Sequence, residues 1–257
     1  MYWKRISFKN SIGELIFDRK RLFCESIDCN GNAVISTAEQ LMNCHGSVTI
    51  SNYLAPKTIP CGFKLVDLDD DPFLRERIVR ILNPLVVGTL EVQTETGTYE
   101  ISCRPTEAPS FKRTDVYYIF TWTTDFYADY PLWKKTNVIH EHEMTDIRDI
   151  ITSKSSIDVP VEITFQSNQT PFMRQSGNNS SAIVVITSGL TKNFIKLDTK
   201  DYTAVDSSGN DVSYRVRAAD NGIGKMTLCP GENILTGNAS LEHPITIKWY
   251  DLTTGVF

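Results

Sequence analysis

Apolar and polar residues alternate with period two along most of this sequence, which predicts a chain built mainly of β-strands. Leu90-Glu91-Val92-Gln93 alternates. After Thr94-Glu95-Thr96-Gly97, Tyr99, Ile101 and Cys103 fall on one side, with Glu100, Ser102 and Arg104 on the other. Alternation around a short glycine-containing loop predicts a hairpin. Segment 116–123 is rich in aromatic and β-branched residues, and its Tyr118, Phe120 and Trp122 share one strand face. Further on, Val159, Val161, Ile163 and Phe165 alternate with Pro160, Glu162, Thr164 and Gln166. Val212, Tyr214 and Val216 keep the same rhythm, as do Ile245, Ile247 and Trp249. Turns are expected at Ser207-Ser208-Gly209-Asn210, Asp220-Asn221-Gly222 and Pro230-Gly231. Strands spaced in this way predict an antiparallel β-sandwich in the second half.

One stretch changes period. Asp71-Pro72 is a helix start, with Asp as N-cap and Pro at the first helical position. Leu74, Ile78, Ile81 and Leu82 recur at helical spacing and form its packing face. Glu76 and Arg80 stand four apart in the favourable order. Asn83-Pro84 ends the helix, because proline disfavours helix in the residue before it.

The alternation lapses over 136–156. That stretch is charged, has a short helical pattern at 146–151, and ends in Ser153-Lys154-Ser155-Ser156. The expected division is an N-terminal domain at 1–136, a linker at 137–157 and a C-terminal domain at 158–257. Segment 170–181, with clustered Ser, Asn and Gly, reads as a loop between strands. A length of 257 residues and a mass of 29.0 kDa suit two domains.

Charge narrows the function classes. There are 26 basic against 31 acidic residues, giving a net charge of −5. A polycation gripping phosphate backbones is not expected. No run reaches the ~20 apolar residues that span a bilayer. The opening Met1-Tyr2-Trp3-Lys4-Arg5-Ile6 lacks the apolar stretch of a signal peptide. Cys24, Cys29, Cys44, Cys61, Cys103 and Cys229 show no Cys-x-x-Cys spacing. They are expected to be reduced and mostly buried.

Three strings are candidates for chemistry. Asp67-x-Asp69-x-Asp71 opens like a calcium loop, but Pro72 and Ile78 stand where that loop needs Gly and Glu. The acidic run is expected to serve the helix N-terminus instead. On a strand, His140 and His142 of His140-Glu141-His142-Glu143 share a face, yet no third or fourth metal ligand is evident. The aromatic string Trp122, Phe126, Tyr127, Tyr130 and Trp133 suits a core or protein interface better than a sugar platform. No nucleophile elbow, P-loop or dinucleotide fingerprint occurs, so no catalytic, cofactor-binding or metal residue is assigned and no enzyme is expected.

Several ordered segments resemble the distal tail proteins of long-tailed bacteriophages. They are Ser7-Phe8-Lys9-Asn10 with Gly13-Glu14; Asn43-Cys44-His45-Gly46 before a strand; the helix 72–82 followed by a hairpin; Arg104-Pro105-Thr106-Glu107-Ala108-Pro109 leading to Tyr130-Pro131-Leu132-Trp133; and Leu228-Cys229-Pro230-Gly231-Glu232-Asn233. The resemblance implies two mainly β domains. The first builds a hexameric ring and continues the tail tube, and the second is a galectin-like sandwich. It implies a structural protein of the virion tail or a prophage, assembled in the host bacterial cytoplasm. Its implied partners are five further copies, the tail tube protein, the tail-tip hub protein, and the tape-measure or receptor-binding proteins. No specific nucleic acid and no membrane insertion are implied. A closed ring needs head-to-tail surfaces, and edge strands or hairpins such as 90–103 are where these are expected. The competing class is a glycan-binding β-sandwich for host-surface recognition. That class needs an exposed stacking Trp, and the alternation of Trp249 places it inside.

Overall fold

The alternating runs are strands in a computed structural model, which describes residues 3–18, 20–40, 47–68, 71–116, 118–166, 172–177, 180–186, 194–218 and 226–256. The chain divides into two units, 1–137 with 254–257, and 138–253.

The first unit contains β1 (Arg5–Asn10), β2 (Glu14–Phe17), β3 (Leu22–Ile27), β4 (Val34–Gln40), β5 (Ser47–Leu54) and β6 (Lys57–Val66). Helix α1 (Pro72–Ile81), β7 (Gly88–Gln93), β8 (Thr98–Pro105), β9 (Lys112–Arg113), β10 (Ile119–Ala128) and the start of β11 (Trp133–Met144) follow. Its antiparallel path runs β2-β1-β7-β8 and continues into β10-β6-β3. Strand β8 makes the join: Tyr99 and Glu100 pair with β11, while Arg104 and Pro105 pair with β10. The expected hairpin at 90–103 forms, but β1 covers one side of it and β10 and β11 the other. It is therefore an interior pair of strands and not a free edge.

One core fills this unit. Period-two alternation sends Ile6 and Phe8, then Phe63 and Leu65, then Phe120, Trp122 and Phe126 inward. The aromatic rings make the centre: Phe17 lies 4.5 Å from Phe63, and Phe63 lies 5.3 Å from Trp122, both stacked. Such contacts add to area burial. Gly88 is required by close approach. A Cβ there would lie 2.5 Å from the Lys9 carbonyl oxygen and 2.6 Å from Phe8 Cζ. Gly88→Ala is expected to cost ~1–3 kcal/mol through overpacking, read as a lower urea midpoint at unchanged slope.

The helix starts and ends as its sequence predicts. The Asp71 carboxylate accepts from the Phe73 amide at 3.0 Å, and Ile78 and Ile81 face the core. At its far end the Asn10 amide group donates to the Ile81 carbonyl at 2.7 Å, tying the helix to β1. The chain terminus also returns to this unit: Val256 is buried in the core, and the Thr254 carbonyl accepts from Lys57 Nζ at 3.1 Å. Lys57 donates to the Cys29 carbonyl too, at 2.6 Å. Burial pushes its pKa down.

The second unit holds the rest of β11, β12 (Arg148–Ser153), β13 (Val159–Pro160), β14 (Glu162–Phe165), β15 (Phe172–Gly177) and β16 (Ser180–Ile186). β17 (Ile195–Asp198), β18 (Thr203–Asp206), β19 (Val216–Ala218), β20 (Thr227–Leu228), β21 (Gly231–Gly237) and β22 (Ile245–Thr253) complete it. Within it, β18-β17-β14-β22-β11 and β12-β21-β15-β16-β19 form two antiparallel sheets. Val161, Ile163, Phe165, Leu197, Ile247 and Trp249 are buried at the expected alternate positions. Buried Asn233 braces the Cys229–Pro230–Gly231 turn: its carboxamide accepts from the Cys229 amide and donates to the Cys229 carbonyl, both at 2.8 Å. Gly231 supplies a φ of +86° there.

Several local expectations are corrected. The helical pattern at 146–151 is overtaken by strand β12, whose pairing with β21 satisfies its backbone. Segment 137–157, read as a linker, carries most of β11 and all of β12. Segment 170–181, read as a loop, contains β15 and the start of β16. Tyr214 does not join Val212 and Val216 in one strand face. It sits in a short 3-10 turn, Ser213–Arg215, and is 76% exposed. The turns at 43–46 and 220–222 lie outside the described residues.

Candidate functional site

The residues singled out for chemistry are placed in structural roles. Asp67 is fully buried, its Oδ2 2.7 Å from Arg75 Nη1 and its Oδ1 3.4 Å from Arg21 Nη2. Oδ1 also accepts from the Asp71 amide at 3.1 Å. The acidic string thus anchors a helix through Asp67 and caps it through Asp71; Asp69 lies outside the described residues.

His140 and His142 do not converge. His140 Nε2 lies 3.0 Å from Asp251 Oδ2, whereas His142 Nε2 lies 2.8 Å from Asp149 Oδ2. The His142 contact holds the Asp149 carboxyl below its ordinary range. Among the described residues, no group of three or more His, Cys, Asp or Glu is placed to hold a metal ion. The imidazole of His140 stacks on Trp249, with centroids 5.1 Å apart and planes 17° apart.

Trp122, Phe126 and Trp133 of the aromatic string lie in the core of the first unit. Trp133 donates from Nε1 to the Cys29 carbonyl at 3.2 Å. Tyr127 carries the Arg104 guanidinium over its ring at 5.7 Å, and Tyr130 is exposed. Cys24, Cys29, Cys61, Cys103 and Cys229 are buried and outside any disulfide. Burial pushes the thiols of Cys24, Cys29 and Cys103 up to about 12 and that of Cys61 well above its ordinary value. Such burial disfavours the thiolate, the nucleophilic form, at these four positions. Cys44 lies outside the described residues.

Two surface features of the first unit were not read from the sequence. The first is a ribbon. β4 and β5 pair with each other and, among the described residues, with no other strand. The Ala55 amide donates to the Ala33 carbonyl at 2.8 Å and closes the base of this arm. At that base Val34 and Ile35 are exposed. A two-stranded ribbon is marginal by itself, and unpaired edges with exposed apolar residues are templates for association. The alternation Val48-Thr49-Ile50-Ser51 signalled one of its strands, but nothing in the sequence showed that the pair stands apart from the sheets.

The second is a groove of about 470 Å³ on the outer face of β2-β1-β7-β8, lined by Ser7, Lys9, Glu14, Val87, Glu91 and Glu100 among others.

These strand orders and helix α1 define a topology that can be compared with known proteins. The chain shares the fold of the phage SPP1 Dit protein. The TM-score is 0.72 at 13% sequence identity, covering 96% of this chain and 99% of that one. That protein is described as a paradigm of the hub adsorption apparatus in phages infecting Gram-positive bacteria. A chain of the phage P2 baseplate, in its activated conformation with Ca, matches over 100% of both chains at a TM-score of 0.53 and 10% identity. No family model and no curated protein matches the sequence. At the level of fold, the Dit likeness bears out the resemblance to distal tail proteins read from the ordered motifs. No helix among the described residues is long and apolar enough to cross a membrane.

Proposed function

We propose that this protein is a structural hub of a phage tail, in which six copies close into a ring joining the tail tube to the tail tip or baseplate. The observation that carries the reading is the likeness to SPP1 Dit, which runs through both units and nearly the full length of both chains. The β4–β5 arm supports it. A ring needs one surface that reaches a neighbour and a different one that receives it, and an arm with no other strand paired to it among the described residues suits the first role. Charge fits as well: six copies at −5 carry about −30, so the ring surrounds DNA without gripping it. The tube protein, the tip hub protein and the tape-measure protein are the partners in this reading, and the virion tail is its location.

Mass measurement of the full chain across concentration, alone and with a tube protein, tests the proposal. The expected species is a hexamer, or a monomer that forms rings once the tube protein is added. Replacing 34–54 by a short turn is expected to leave a folded monomer in both settings. A stable dimer that binds glycan overturns the hub reading in favour of an adhesion module.

A further inference from the structure

A lysine occupies an inward position of β6. Lys57 shares its strand face with Ile59, Cys61, Phe63 and Leu65, all buried, and is itself only 4% exposed. Alternation calls for an apolar residue there. Among the described residues no carboxylate pairs with its ammonium. Asp28, next to the Cys29 that Lys57 touches, is exposed and accepts from the Asn30 amide at 3.0 Å. The Trp133 ring lies 6.0 Å from Nζ. Burying an ammonium without a counter-ion is costly, so core stability alone does not account for a lysine at this position.

Its hydrogen bonds show what it holds. Nζ donates to the Cys29 carbonyl at 2.6 Å and to the Thr254 carbonyl at 3.1 Å. Cys29 belongs to the body of the first unit, where Trp133 Nε1 donates to the same carbonyl. Thr254 begins the segment 254–257, which rejoins this unit after the whole of the second. Gly255 and Val256 behind it are buried. An ammonium has three donors, and two are matched among the described residues. Two opposing effects therefore meet at one atom. The hydrogen bonds hold 254–257 down, while the desolvated charge favours lifting the segment, because water then reaches Nζ.

We infer that residues 254–257 form a strap latched by Lys57, which opens while the rest of the first unit stays folded. Opening takes Val256 out of the core and hydrates the Lys57 ammonium. The chain passes between the units twice, after 137 and after 253. With the strap open, only the first passage remains anchored in the first unit, so Lys57 governs how firmly the second unit is tethered. A short segment with few buried side chains is a natural unit of local opening. The device stands on contacts within one chain and does not depend on ring formation.

Native-state hydrogen exchange on the full chain tests this. The Gly255 and Val256 amides are expected to exchange through an opening whose rate low urea leaves unchanged. Phe63 and Leu65 lie in β6, which is paired on both sides, and their amides wait for global unfolding. The strap amides are expected to exchange roughly a hundredfold faster than these. Lys57→Met keeps an unbranched apolar side chain and removes the latch. It is expected to speed Gly255 and Val256 about tenfold relative to Phe63 and Leu65. A merely structural lysine would shift all four amides together, and that outcome overturns the inference. So does a parent chain in which the strap amides exchange only at the global rate. This last measurement decides the case even where the variant fails to fold.

Discussion

Asp67→Ala is expected to lower the stability of the first unit by about 3–5 kcal/mol. The carboxylate is completely buried and holds two guanidiniums, Arg75 at 2.7 Å and Arg21 at 3.4 Å. It also accepts from the Asp71 amide, and its own amide donates to the Tyr118 carbonyl at 2.8 Å. One side chain therefore ties the start of α1 to the approach to β3, next to the backbone where β10 begins. Removing it leaves the Arg75 guanidinium over the Phe120 ring with a lost counter-charge. Urea unfolding followed by tryptophan fluorescence checks the value. Asp67→Asn keeps the shape and loses the charge, and it is expected to lose a smaller part of the same stability. A fall of less than ~1 kcal/mol for the alanine variant means that the clamp behaves as an ordinary surface pair.

Raising the pH from 9 towards 12 is expected to unfold the chain. Cys24, Cys29 and Cys103 titrate near 9.0 when exposed, and burial pushes each to about 12 in the folded state. Between those values the unfolded chain releases protons that the folded chain retains. The stability these thiols contribute is fully present below pH 9 and is lost as pH rises through the folded values. Burial raises the Cys61 thiol in the same way. Each thiol costs about 1.4 kcal/mol per pH unit, so four cost about 6 kcal/mol per unit, against a typical stability of ~5–15 kcal/mol. Lys57 acts the other way, because its folded pKa is lowered, but it is one group against four. Chemical denaturation at pH 8, 9, 10 and 11 measures the slope. Cys103→Val is expected to flatten it by about a quarter, since one of the four shifted thiols is gone. Parallel slopes for variant and parent show that something other than thiol ionisation drives the loss.

The sequence revealed strands wherever one face is dry. Val161, Ile163 and Phe165, and likewise Ile245, Ile247 and Trp249, alternate because each strand covers a single core. The helix was legible for a local reason: Asp71, Pro72 and the Ile78–Ile81 face all lie within one short window. Where tertiary pairing overrode local pattern, the reading failed. Segment 146–151 has helical spacing, yet the hydrogen bonds offered by β21 decide its state. Tyr214 has strand rhythm, yet the Ser213 hydroxyl donates to the Asp211 carboxylate and the Ser213 amide donates to the same group at 2.8 Å, which favours a turn. The candidate sites were harder still. The β4–β5 arm is defined by the lack, among the described residues, of any other strand paired with it, and the groove gathers residues from four strands. Neither is a property of any short window of residues.

The return of the last residues to the first unit sets a timetable for synthesis. Val256 completes the core made by residues 1–137, and the Thr254 carbonyl receives the Lys57 ammonium. Domains generally fold as they leave the ribosome, N-terminal first. Here the first unit must wait with an unfinished core while the 116 residues 138–253 are made, a delay of roughly 6–23 s at ~5–20 residues per second. The second unit is contiguous, so although it is made later it can be the first of the two to close.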